Sequence, residues 1–399
     1  MLQGIKVVDF TQYLAGPTVT RLMAEMGADV VKVEMAPGGD PARLLPFRVG
    51  ERSCYYIQQN RGKQSLCVDF AKPEAVALLA DLAAKADVVV ENFGPGVLAK
   101  RGLDYEALVK RNPRLIMASI SAFGRTGPLA NKVGFDLIAQ AFSGLMSMTG
   151  SPDGPPMWVG LAIADVQSGV HAFAAVGYAL FHRERTGRGQ HIDVSMVDAL
   201  YHCHEGNVQF YANSGRAIEP TRHGAQHGMA GPMGVYKAKR GWIVLLVLER
   251  QWPGFCRAIG RPELENDPRY ATGALRGQNK AELAAIIEAW LAKQPSTEAA
   301  LDVFEEHRVA AAPVLSVAET VDHPYYAARG MIRRVPDPVL GEVTIPGFPF
   351  KFGEIAELPD LRAPRLGEHN AQVLRERLGL GDARIAELAK SGVLVSGDS

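Results

Sequence analysis

One acid stands near the front of a long apolar helix pattern, where its carboxylate could attack a carbonyl carbon. The pattern covers about 162–185 in MWVGLAIADVQSGVHAFAAVGYALFHRERTGRGQHIDVSM (157–196), and the acid is Asp165. A loop rich in Gly and Pro, GSPDGPP (150–156), comes before it, and Thr186-Gly187-Arg188-Gly189 closes it, a glycine stop after basic residues. A short strand pattern, HIDVSM, follows. Two readings fit Asp165. It can cap the helix, since Asp is a favoured N-cap. It can also be a functional group. Three residues on stands Ser168, not Glu or Gln, so the capping box is incomplete. Small neighbours (Gly160, Ala162, Ala164, Ser168, Gly169) leave room for a ligand. The positive end of the helix would keep the carboxylate ionised, as a nucleophile needs.

The whole chain bounds what that acid can serve. Its 399 residues are enough for about two or three domains. A hydrophobic content of 47% with 22% charged residues is ordinary for a globular protein. Lys+Arg and Asp+Glu both total 43, so no general basic field invites nucleic acid. Cys54, Cys67, Cys203 and Cys256 are widely spaced, without a CxxC pair, and read as free thiols of a reducing compartment. His202 and His204 flank Cys203, but no fourth ligand is near, so packing explains them better than metal. No segment reaches the roughly 18 uncharged apolar residues of a membrane span. The N-terminus enters a strand pattern, IKVVDF, with no leader-like stretch. The expectation is a cytoplasmic protein with no metal and no nucleic-acid or membrane partner.

Strand patterns over 5–10, 28–34, 61–70, 86–93 and 114–124 alternate with helix patterns over 18–26, 73–85, 97–103, 105–112 and 135–148. That alternation predicts an α/β fold with a Rossmann-like, doubly wound parallel sheet, whose ligands bind at the carboxyl ends of the strands. Asn92, Phe93 and Gly94 follow such an end, though a plain turn also favours Asn and Gly. Glu34 closes the second strand, where dinucleotide folds place an acid on a ribose. The first turn, FTQYLAGPT, lacks GxGxxG, which argues against a nicotinamide. Residues 35–60 read as a long functional or interfacial loop. A helix over 196–212 leads into a polar stretch, and 235–248 reads as a hairpin. The expected organisation is a large domain over 1–210, a smaller α+β domain over 215–321, and a C-terminal return to the large domain over 330–399.

VVDFTQYLAGP (7–17), GADVVKVE (27–34), NRGKQSLCVDF (60–70), ENFGPGVLAKRGL (91–103) and RLIMASISAFGRTGP (114–128) are followed by the Asp165 stretch, TGRGQHIDVSM (186–196) and RLGEHN (365–370). In this order, over nearly the whole chain, they resemble the family III CoA-transferases, the group of formyl-CoA transferase and carnitine CoA-transferase. The resemblance implies an intertwined homodimer with its active site between domains. It implies coenzyme A as co-substrate, brought as acyl-CoA, and a covalent intermediate on Asp165. CoA contacts are implied for Leu14, Ala15, Val68, Asn92, Phe93 and Gly94, for Ala71 (a lysine in formyl-CoA transferase), and for the basic Lys100, Arg101 and Lys132. Met35 stands where formyl-CoA transferase has an arginine near adenine. Toward the substrate, the resemblance implies Gln12, Asp136 and the loop His227-Gly228-Met229-Ala230-Gly231. That loop is similar to the glycine-rich loop that closes on the aspartate in formyl-CoA transferases, with fewer glycines. Outside the resemblance, the basic residues read as solvated surface charges.

Arg222, His223 and His227 share the polar loop. One or more of them is expected to grip a second carboxylate, favouring a dicarboxylate such as succinate, oxalate or itaconate; a solvated surface is the competing reading. The nearest rival function is an α-methylacyl-CoA racemase. Racemisation needs acid/base groups on both faces of the α-carbon. Where the racemase pattern has Gly-His-Asp, this chain has Gly134-Phe135-Asp136, and Phe135 cannot carry a proton. A non-catalytic CoA-binding protein is the other alternative, and an intact Asp165 argues against it.

Overall fold

A computed structural model describes residues 1–354 and 361–397. The chain forms two compact units. The first comprises Met1–Gly144, Gly160–Glu205 and Pro324–Ser399; the second comprises Leu145–Val159 and Gly206–His323. The C-terminal stretch expected over 330–399 lies outside the described residues at 355–360 and 398–399.

In the first unit the chain runs β1 (Lys6–Phe10), α1 (Ala15–Glu25), β2 (Asp29–Met35), α2 (Cys54–Asn60), β3 (Lys63–Val68), α3 (Pro73–Ala84), β4 (Val88–Glu91), α4 (Tyr105–Leu108), β5 (Ile116–Ser121) and α5 (Asp136–Phe142). A single turn, α6 (Leu145–Met148), belongs to the second unit. Then come α7 (Ile163–Thr186), β6 (Gln190–Ser195) and α8 (Met196–Tyr201). The six strands pair in the order β3-β2-β1-β4-β5-β6, each neighbour parallel. A parallel sheet is covered on both faces, which is why Val7, Val8, Val30, Val31, Val33 and Val88 to Val90 are all buried, with only Lys32 interrupting the apolar run of β2 between Val30 and Val33. The order reverses between β1 and β4, and the crevice beyond their carboxyl ends is the natural ligand position of such a sheet.

One face buries Leu79 and Leu82 of α3 with Val373, Leu374 and Leu388 of the C-terminal stretch. The other carries α1 and α7. A Cβ at Gly169 would stand 2.6 Å from the Ala15 carbonyl oxygen and 2.8 Å from Thr18 Cβ, so only glycine lets α7 lie this close to α1. That contact sets the height of Asp165 above the β1–α1 turn.

Local departures from the expected elements have local causes. α1 starts at Ala15 because Pro17, in its first turn, lacks only an N–H that no intrahelical carbonyl would accept. The expected loop over 35–60 contains α2, capped by Ser53, whose Oγ accepts the Tyr56 N–H at 3.1 Å. The 135–148 pattern breaks after Phe142. The 196–212 pattern splits into α8 and α9 (Asn207–Asn213). α7 is not wholly buried, since Val170, Tyr178 and Phe181 form an exposed stripe, 77% exposed at Tyr178.

The second unit holds α9, the hairpin β7 (Met233–Lys237) and β8 (Trp242–Leu246), then α10 (Trp252–Ala258), α11 (Gly273–Gln278), α12 (Lys280–Lys293), α13 (Thr297–Glu306) and β9 (Ala310–Pro313). The strands form an antiparallel sheet in the order β9-β8-β7. Its core is Ile243, Leu245, Phe255, Ile287 and Phe304. Among the described residues no helix is long and apolar enough to cross a membrane.

Candidate active site

Asp165 is the third residue of α7, and it is not the cap. Ala162 precedes the helix without a side-chain bond. The cap comes instead from α5: Asp136 Oδ1 accepts the N–H of Ala164 at 2.7 Å and of Asp165 at 3.3 Å, and Asp136 Oδ2 accepts Gln140 Nε2 at 2.7 Å. The Asp165 carboxylate accepts no hydrogen bond from the described residues and lines an open cleft. Burial, and then the charge of Asp136, push its pKa up to about 7. The expectation that the helix end keeps it ionised is corrected here. The first free N–H groups of α7 are spent on Asp136, and a second carboxylate beside them feels repulsion.

The cleft has a volume of about 160 Å³ and lies where the sheet order reverses. It gathers Gln12, Leu14 and Ala15 from the β1–α1 turn, Asn92, Phe93 and Gly94 from the end of β4, and Lys132 and Phe135 around Asp165. Asn92 locks the two turns together: its Oδ1 accepts the Gln12 N–H and its Nδ2 donates to the Gln12 carbonyl, both at 2.8 Å. Tyr13, next in the turn, has φ +63°, and its N–H donates to Asp40 Oδ1 at 3.1 Å. A non-glycine residue there is strained and persists because its surroundings hold it. Lys132 Nζ lies over the Phe123 ring, 5.6 Å from its centre. An adjoining hollow of about 270 Å³ includes Met35, Gly38, Gly39 and Phe93.

Other expected residues are placed elsewhere. Val68 is wholly buried in the sheet and its carbonyl accepts the Ala36 N–H, so its side chain meets core rather than ligand. Ala71 lies in the turn after Asp69, whose Oδ1 accepts its N–H at 2.9 Å. Arg101 lies over the Phe70 ring and donates to the Val97 carbonyl, with Lys100 exposed beside it. None of these four lines the Asp165 cleft. In the second unit, Arg222 is tied down by donating to the carbonyls of Ser151 and Ser147 at 3.1 and 3.2 Å. The His223 and His227 rings are 5.1 Å apart, and His227 Nδ1 accepts the Met229 N–H. At the end of that loop the Gly231 carbonyl accepts Arg276 Nε at 2.6 Å. Among the described residues no group of three or more His, Cys, Asp or Glu is placed to hold a metal.

The support beneath the cleft was not visible as such in the sequence. Glu34 does not face a ribose. It is 1% exposed and accepts Arg43 Nε and Nη2, both at 2.7 Å, the Tyr56 hydroxyl at 3.0 Å and the Ser65 hydroxyl at 2.6 Å. Beside it, Lys32 Nζ bridges Asp40 Oδ2 and the Thr11 carbonyl, and Lys63 pairs with Asp9 at 2.9 Å. These ions hold the β1–α1 turn from below. The signal was Lys32 and Glu34 sharing one face of an apolar strand, since buried charges must find partners. Tyr55 of α2 was also missed. Burial, and then the charge of Asp165, hold its phenol above the ordinary range, so it remains a hydrogen-bond donor.

CoA-transferase family III matches residues 2–370. The chain is 38% identical over 378 residues to the acetyl-CoA:oxalate CoA-transferase of Acetobacter aceti, covering 94% of this chain and 95% of that one. It is 40% identical over 385 residues to the succinate–glutarate CoA-transferase of Agrobacterium fabrum, with the same shares covered. A crystal structure of a CAIB/BAIF family protein from Brucella suis matches with TM-score 0.83 at 36% identity, covering 94% of this chain and 99% of that one. The chain therefore belongs to CoA-transferase family III and is a CoA-transferase.

Proposed function

We propose that Asp165 carries the transfer covalently, taking CoA from an acyl-CoA to a carboxylic acid, with dicarboxylates as the favoured acids. One Asp165 oxygen attacks the thioester carbonyl, the C–S bond breaks, and a mixed anhydride and CoA thiolate result. The thiolate then attacks the Asp165 carbonyl carbon, giving an aspartyl-CoA thioester and releasing the donor acid. The acceptor carboxylate attacks that thioester, expelling the thiolate and forming a second anhydride. The thiolate closes on the acceptor acyl carbon and Asp165 leaves as a carboxylate. No water, proton or nucleotide is consumed, and water must be kept from both activated esters.

The observation that carries this reading is the unbonded Asp165 carboxylate at the switch-point cleft, with helix capping already supplied by Asp136. Phe135 lines the same cleft where a racemase needs a second acid/base group, and it offers none. Relatives named for oxalate, succinate and glutarate support the dicarboxylate class. The Val170, Tyr178 and Phe181 stripe supports a homodimer that covers α7. A panel of acyl-CoA donors against mono- and dicarboxylic acids tests the function. Exchange should require a free acid, and no α-deuterium should enter the acyl chain in D2O; acid-independent deuterium exchange would mark an isomerase. Arg222→Ala should raise the KM for a dicarboxylate, and an unchanged KM removes that residue from acceptor recognition.

A further inference from the structure

We propose that the Glu91–Arg125 ion pair is the positioning device for the Asn92–Gly94 turn and sets CoA affinity without touching CoA; this rests on reading that turn as a CoA contact. Arg125 Nη2 donates to Glu91 Oε1 at 2.6 Å and to the Phe93 carbonyl at 2.9 Å. Glu91 Oε2 accepts the Phe93 N–H at 3.0 Å. The two backbone polar groups of one residue are thus gripped by opposite members of one ion pair.

The grip is itself anchored. The Arg125 N–H donates to both carboxylate oxygens of Asp193 on β6, at 2.9 and 2.8 Å, so the loop after β5 cannot slide. Glu91 is 4% exposed at the end of β4. On the opposite side Asn92 exchanges two hydrogen bonds with the Gln12 backbone. Phe93 therefore stands in a wall fixed from both sides, and that wall is shared by the Asp165 cleft and the hollow at Met35. Neither Glu91 nor Arg125 lines either space; both face a separate hollow of about 420 Å³ that reaches Gly94 and His191, and toward the Asp165 cleft their influence passes through the Phe93 backbone. A guanidinium suits this task because its planar fork meets a carboxylate and a carbonyl together, whereas an ammonium is a single point charge.

The test uses the full-length enzyme, with steady-state KM for the acyl-CoA donor and the acid acceptor, kcat, and a melting curve for each variant. Arg125→Met should raise the donor KM about tenfold or more, with kcat changed by less than about threefold and the acceptor KM unmoved. Arg125→Lys should lie between it and the parent. Glu91→Gln still accepts the Phe93 N–H but loses the ion pair, and it decides the matter if Arg125→Met does not fold. A donor KM within about twofold of the parent in the folded variants, or a loss confined to kcat, overturns the proposal. Gly94→Val separates this outcome from failure of the underlying reading, since a Cβ at Gly94 meets nothing within 4 Å and would project into open space. If Gly94→Val leaves the donor KM unchanged, the turn does not contact CoA and both readings fall. If it raises that KM while Arg125→Met and Glu91→Gln do not, only the positioning role falls.

Discussion

Replacing Asp136 with Asn should move the pH dependence of the enzyme in a direction opposite to that of a damaged active site. Asn keeps an oxygen that can accept the Ala164 and Asp165 N–H groups, now 2.7 and 3.3 Å from Asp136 Oδ1, and removes the negative charge. The charge of Asp136 is the second cause of the raised Asp165 pKa, after burial, and a like charge one or two side chains away at an effective dielectric of about 20 is worth on the order of 1–2 kcal/mol, about one pKa unit. A fall of about one unit is therefore expected. Burial is the larger cause of the shift and is untouched, so Asp165 stays above the ordinary carboxylate range. A nucleophile must be ionised, so the parent rate should rise with pH through about 7. At pH 6 the ionised fraction should grow from about a tenth to about a half, raising kcat/KM about fivefold, with almost no gain at pH 8. The assay is isotopic CoA exchange from pH 5 to 9 with oxalate as the acceptor, since both of its carboxyl groups ionise below that window. An acid limb that stays in place or moves upward in Asp136→Asn would refute the electrostatic part of the argument.

Three further outcomes follow from the same geometry. Asp165 has a raised pKa in the fold, so its stabilising contribution is present below the unfolded value of about 3.8 and is lost as pH rises through about 7. Asp165→Asn should thus be inactive yet more stable than the parent by about 2–4 kcal/mol at pH 8, with the gap closing toward pH 4 in denaturant titrations. Gly169→Val should cost at least about 1–3 kcal/mol, because its side chain meets the Ala15 carbonyl, and should also lower kcat by shifting Asp165; equal stability by thermal melting would contradict this. Glu34 is held at about 2, so its contribution is present above the unfolded value and lost as pH falls through about 2. Arg43→Met should cost about 3 kcal/mol and bring acid unfolding to higher pH, as followed by circular dichroism.

The parallel sheet was legible because strands buried on both faces cannot hide their apolar runs, and the intervening helix patterns leave little freedom of topology. The position of Asp165 near the front of α7 was also legible. Its role as cap or free carboxylate was not, because the cap arrives from Asp136, 29 residues upstream, and no local spacing reveals a tertiary acceptor. For the same reason the sequence offered no partner for Glu34 once a nicotinamide was set aside, because Arg43, Tyr56 and Ser65 lie 9, 22 and 31 residues on. Val68 belonged to a matching motif, but strand alternation turns its side chain into the core. The bonds from Arg222 to two carbonyls depend on how residues 147–151 fold back, which its own neighbourhood does not encode.

The most direct measurement is intact-mass and peptide analysis of the enzyme after mixing with an acyl-CoA and no acceptor acid, with borohydride reduction to fix any aspartyl ester. The account predicts a CoA-sized adduct on Asp165, its conversion to the reduced side chain by borohydride, and its disappearance in Asp165→Asn together with CoA exchange. An unmodified Asp165 under turnover conditions, or exchange that survives in Asp165→Asn, would contradict it.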